Sequence, residues 1–264
     1  APVDRAWNHP RLVGVLATLS LPMLAAGTVA GVVWLSSQVD PRAGAVVAGV
    51  TLAATTSLRM LVAESLRVVR LSTEDVAAAQ ESLRSLAGRD AGDLSPGLLR
   101  SAAVESAAEN LADGFIAPLA AFAVLAPFSL TLAAAGAAWV KAVNTLDSML
   151  GYRSKPVGWA SARLDDLVMW LPARLTALLL AQVAGRPRAL LRARQWLREV
   201  PSPNSGWPMG TLAAALAVRL EKPGVYVLNA GASYPSPRTA QRGVLQVASS
   251  GVVATILAGV VAWL

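Results

Sequence analysis

Glu105, Glu109 and Asp113 recur every four residues in the string VESAAENLADG, a spacing that sets three carboxylates along one stripe of a helix, with Asn110 beside them. Like charges so placed repel one another unless something cationic intervenes. A few hard oxygen ligands, shared with substrate phosphates, are the usual way of holding Mg²⁺, so the stripe reads as a magnesium site. A solvated polar helix face is the bland alternative. Because the stripe runs straight into an apolar segment, the functional reading gains weight.

A second group lies in KAVNTLDSMLGYR, where Asn144, Asp147 and Ser148 fall within about one helical turn and can converge on one ligand. Helix capping explains Asn144 alone, but it leaves Asp147 in apolar surroundings without a partner. Next, GWASARLDDLVMWLPAR places Arg163 near the adjacent acids Asp165 and Asp166, followed by Arg174. Neighbouring residues do not share a helix face, so one acid can meet a metal while the other pairs with an arginine. An internal salt bridge accounts for either acid taken alone. The loop PSPNSGWP offers Ser202, Asn204, Ser205 and Gly206, whose donors can cradle an anion, although it is not a Walker-type loop and in isolation is an ordinary turn. His9 is the only histidine and there are no cysteines. A histidine-based metal site, a Ser-His-Asp triad, a thiolate site and a disulfide framework therefore lack material.

The elements that must position these groups are set by lipid. Of 264 residues 55% are hydrophobic and only 15% charged, outside the usual soluble range. Residues 12–35 and 43–63 each approach the length needed to cross a bilayer, and the short turn Ser36–Arg42 makes them a hairpin. The first stretch is too long for a signal-peptide core and is read as retained. Residues 115–140 are apolar enough to span but carry Pro118 and Pro127, which predicts either one kinked helix or two half-helices that re-enter. Residues 164–184 hold Asp165, Asp166 and Arg174 and should be partly buried within protein; residues 244–264 form a last span. Polar segments 64–114 and 185–243 lie between, the former helical and largely outside the lipid. The expectation is an all-α, polytopic membrane helical bundle, one domain over 1–264, with broken or re-entrant helices and a helical cytoplasmic segment.

Net charge is +7, from 23 Lys plus Arg against 16 Asp plus Glu. The positive-inside rule puts Arg67, Arg70 and the run Arg186 to Arg198 on the cytoplasmic side. Nucleic acid is not expected as a partner, since the basic residues are split among membrane-flanking segments. Anionic lipid and acidic substrates remain, and a transporter is disfavoured by the lack of internal repeats.

Read together, the strings HPRLVG (9–14), GRD (88–90), AVESAAENLADGFIAPL (103–119), AVNTLDSMLGYR (142–153), GWASARLDDL (158–167), LPARLTALLL (171–180) and SPNSGWP (202–208) resemble, in order, the CbiB/CobD family of adenosylcobinamide-phosphate synthases. The resemblance implies a multi-pass enzyme of the cytoplasmic membrane in cobalamin biosynthesis. Such an enzyme joins adenosylcobyric acid to aminopropanol phosphate through an amide, with ATP as co-substrate and Mg²⁺ as cofactor. On that view Glu105, Glu109, Asp113, Asp147 and Asp166 are catalytic, and Glu109, Asp113, Asp147 and Asp165 hold metal. Arg89, Asn110, Asn144, Ser148, Arg163, Arg174, Ser202 and Asn204 bind substrate. The chain departs from the family pattern in four places: few residues precede His9, the linker from Arg153 to Gly158 is short, the aromatic and double-glycine features after APL are missing, and Met209 stands where an acid is usual. Two other readings are a non-catalytic membrane sensor or assembly partner of the same fold, and another Mg²⁺-dependent membrane transferase of the prenyltransferase kind. A homo-oligomer is compatible with the sequence, which does not specify one.

Overall fold

The computed structural model describes residues 7–87, 92–151 and 155–264. Among the described residues the chain is all-α apart from one small hairpin, and it is a multi-pass membrane protein. Among the described residues four stretches are long and apolar enough to cross a membrane: Pro10–Val39, Pro41–Glu74, Pro96–Leu125 and Pro237–Trp263. A fifth candidate is the pair Pro156–Val168 and Trp170–Val183, bent by 46°. The chain divides into two compact units, one formed by 1–57, 113–169 and 255–264, the other by 58–112 and 170–254.

In the first unit, α1 (Pro10–Val39) and α2 (Pro41–Thr55) form the expected hairpin. Asp40 caps α2 by accepting from the Arg42 N–H at 2.7 Å, and Pro41 fills the first helical position, where no amide hydrogen is needed. Segment 115–140 is two helices rather than one. Helix α6 (Ala117–Leu125) stops two residues before Pro127, and α7 (Leu130–Leu150) starts after Ser129 and packs back along α6. Small residues allow the close approach, since a Cβ on Gly136 would come within 2.5 Å of the Leu125 side chain. Helix α7 also packs against α1 and α2, and a buried cluster of Val33, Ala48 and Ala134 marks that meeting. A single 3-10 turn, Pro156–Gly158, then leads into α8 (Trp159–Val168).

The second unit is built on α5 (Pro96–Leu111), which is capped by Ser95 and buried along most of its length. Around it stand α3 (Leu58–Glu74), α4 (Val76–Ala87), α9 (Trp170–Val183) and α11 (Gly206–Leu216). Short α10 (Arg188–Ala193) packs on α11. The strands β1 (Leu220–Lys222) and β2 (Tyr226–Leu228) pair antiparallel, joined by a turn with Gly224 at φ +72°. That geometry matches Pro-Gly at the centre of a tight turn, in KPGV. Helix α12 (Pro237–Trp263) closes the chain. Beyond α5 the helix widens into a π turn over Ala112–Ile116 before Pro118, whose ring nitrogen has no hydrogen to donate.

Candidate functional site

Each unit assembles its own share of the expected residues. In the first unit, the end of α7 presents Asn144, Asp147 and Ser148 along one face. Ser148 turns its hydroxyl back to the Asn144 backbone carbonyl at 2.9 Å, and the Asn144 side-chain amide donates to Asp165 Oδ1 of α8 at 3.5 Å. Asp147 is half-buried, and its Oδ1 is buried without a hydrogen-bond partner. The nearby charge that acts on it is Asp166. A buried carboxylate oxygen left bare costs free energy, which a bound cation or hydrogen-bond donor would offset. Two glycines make room for it. A Cβ on Gly151 would fall 1.7 Å from Asp147 Oδ1, and one on Gly158 would fall 1.7 Å from the Leu150 carbonyl, so α7 and the turn before α8 meet backbone to backbone.

Beside this group is an open cleft of about 370 Å³ whose lining includes Arg11, Lys155, Trp159, Arg163 and Asp166. Three cations and a carboxylate around one cleft suit a phosphate that brings a divalent cation with it. Among the described residues no three His, Asp or Glu side chains form a group able to hold a metal ion. Mg²⁺ does not require one, because it keeps several waters and takes one or two protein carboxylates together with substrate phosphates. Asp147 and Asp166 fit that mode. Arg11 and Lys155 were not singled out from the sequence. Their signal was only their position, just after the HP string and just before a glycine turn.

In the second unit the acids have protein partners. Glu105 is 2% exposed and accepts from the Ser101 hydroxyl at 2.6 Å, the Tyr226 hydroxyl at 2.7 Å and the Glu221 N–H at 3.1 Å. It thereby fastens the hairpin to α5. Buried Met209 sets its sulfur 3.5 Å from the same Tyr226 hydroxyl. Glu109 accepts from Ser205 at 2.7 Å, tying the 201–208 loop to α5. Within that loop Ser202 Oγ accepts from the backbone N–H groups of Asn204 and Ser205. Buried Asn204 accepts from Arg174 at 2.8 Å, and the Arg174 guanidinium lies against Trp170 and Trp207, 4.4 and 5.3 Å from their ring centres. Asn110 donates to Ser106 in its own helix. Asp113, half-exposed in the π turn, belongs to the first unit. Arg89 lies outside the described residues.

A family model described as CobD/Cbib protein matches residues 2–250. The chain belongs to the CobD/CbiB family. Among its relatives are a "Cobalamin biosynthesis protein CobD" from Rhodobacter capsulatus, 36% identical over 99% of this chain and 86% of that protein, and one from Pelobacter propionicus, 40% identical over 84% and 69%. A "Probable cobalamin biosynthesis protein CobD" from Methanothermobacter thermautotrophicus is 36% identical over 84% of this chain and 73% of its own length. No solved structure matches.

Proposed function

We propose that this chain acts in cobalamin biosynthesis as an adenosylcobinamide-phosphate synthase, joining adenosylcobyric acid to aminopropanol phosphate at the expense of ATP. Family membership supports the pathway. The observation that carries the chemistry is the bare Asp147 oxygen beside Asp166, next to a cleft lined by Arg11, Lys155 and Arg163.

Amide formation from a free acid needs the carboxylate activated. The terminal phosphoryl group of ATP passes to the corrinoid carboxylate, forming an acyl phosphate and releasing ADP. The amine then attacks the acyl carbon, and phosphate leaves as the C–N bond closes. Arg11, Lys155 and Arg163 neutralise charge on the phosphates, where such groups contribute most by being fixed in advance. Asp147 and Asp166 would hold Mg²⁺, which would supply further charge neutralisation, and the departing phosphate takes the proton that the amine loses. Asn144, bonded to Asp165, orients α8 relative to α7.

The test is an assay of the purified protein in detergent with adenosylcobyric acid, aminopropanol phosphate, ATP and Mg²⁺, following the corrinoid by mass. ATP-dependent gain of the amino-alcohol phosphate supports the synthase. If folded protein yields no product with any amino-alcohol phosphate, the proposal fails in favour of a non-catalytic member of the family.

A further inference from the structure

Helix α12 begins with the polar turns PRTAQR and becomes apolar from Val244 onward. Helix α3 runs beside it in the opposite direction. Its first residue, Leu58, sits where a Cβ on Gly251 would touch it at 2.5 Å, while its later turns share an open groove of about 570 Å³ with Pro237, Arg238 and Gln241. The groove is two-sided in character. Ala63, Leu66 and buried Val69 give it an apolar lining, and exposed Arg67, Arg70 and Arg238 outnumber the one carboxylate that lines it, Glu64.

We propose that this groove holds the head group of an anionic phospholipid. Its depth is the first argument: at 1.5 Å per residue, Arg238 stands about 9 Å outside the start of the apolar run, within the head-group layer that flanks the hydrocarbon core. Charge is the second. Arg238 has no carboxylate partner among the described residues, and the partners of Arg67 and Arg70 are same-helix acids, half-exposed Glu64 at 3.9 Å and exposed Glu74 at 3.8 Å. Pairs so long and so exposed hold little energy and leave the guanidinium groups available. The start of α12 adds the positive end of a long helix dipole. The apolar lining is the third argument, because a free phosphate makes no use of it whereas a phospholipid does. This site lies in the second unit and is independent of the proposed reaction.

The purified protein is incubated with equal amounts of phosphatidylglycerol and phosphatidylcholine, and retained lipid is read by native mass spectrometry. Phosphatidylglycerol should be retained selectively. Each of Arg70→Gln and Arg238→Gln should weaken retention about fivefold, the effect of one interfacial arginine. Arg238→Lys should keep most of the retention, and Arg188→Gln, on another face, should change nothing. Equal retention of the two lipids by the unaltered protein overturns the proposal without reference to any variant. So does unchanged retention in Arg238→Gln, whose exposed side chain has no packing role, or displacement of the lipid by millimolar inorganic phosphate.

Discussion

At the scale of single residues, Asp147 stands apart from the partnered acids of the second unit. Asp147 keeps a buried oxygen without a partner, which is unfavourable for folding and useful for binding. Asp147→Asn should therefore lower turnover about a hundredfold or more, as losing one preorganised electrostatic group does, while leaving the melting temperature unchanged or higher. A variant that loses both activity and stability would show Asp147 to be structural. Glu221 behaves oppositely. The Tyr234 hydroxyl, and then Arg219, hold its carboxyl below the ordinary glutamate value of 4.5, against partial burial, while the same bond raises Tyr234 above its ordinary 10.0. A lowered carboxylate adds stability above pH 4.5 that is lost as pH falls through the native value; a raised tyrosine adds stability below pH 10.0 that is lost as pH rises. Tyr234→Phe should thus flatten the pH dependence of melting at both ends, and identical acid and alkaline slopes in the two proteins would refute the coupling. Sequence spacing showed that Asn144, Asp147 and Ser148 share a helix face. It could not show the Asn144 to Asp165 bond or the Glu105 to Tyr226 bond, since both join separate elements.

At the scale of elements, glycine placement separates contacts that fix the site from those that do not. Gly158 lies against the Leu150 carbonyl and Gly14 against the Val157 carbonyl, 1.7 and 2.1 Å from where a Cβ would be, and backbone cannot step aside cheaply. Gly31 and Gly49 have nothing within 4 Å. Gly158→Ala should displace α8 and with it Asp165 and Asp166, reducing activity at least tenfold in protein that still inserts into the membrane, whereas Gly31→Ala should retain full activity and unchanged thermal unfolding. Equal effects from the two substitutions would argue against this packing. Two long helices were legible because lipid demands long apolar runs: 12–35 falls within Pro10–Val39, and 244–264 falls within Pro237–Trp263 except for its last residue. By contrast Pro96–Leu125, also apolar enough to span, begins in the segment 64–114 that its charges assigned to the outside of the lipid. The break near Pro127 was visible as a choice between a kink and two helices, and it took the α6 to α7 contact to decide it. The hairpin was not legible. Three-residue strands are too short for an alternating pattern, and KPGV was the one turn signal present.

At the scale of the whole molecule, the solvent changes what exposure means. Leu12, Leu16, Leu19, Met23 and Leu24 of α1 and Ile256, Leu257 and Val260 of α12 are all more than half exposed, which in water would drive aggregation. In a bilayer those side chains meet hydrocarbon, and the backbone polar groups of both helices are satisfied internally. A charge placed there lacks the compensation that Asp165 or Arg174 finds inside its own unit. Leu257→Arg, well inside the apolar run and 53% exposed, should oppose insertion of α12 by about 2.5–3.5 kcal/mol on the scale for a helix centre. Ala254→Arg in the same helix starts from a buried position and should also break packing, so the two can be separated. In a glycosylation-mapping assay on the isolated α12 segment, where no neighbouring helix is present, both substitutions should reduce spanning alike. In the full chain, only Ala254→Arg should further disrupt unfolding of the inserted fraction. Normal spanning by Leu257→Arg in both formats would mean that α12 faces protein or water rather than lipid at that depth.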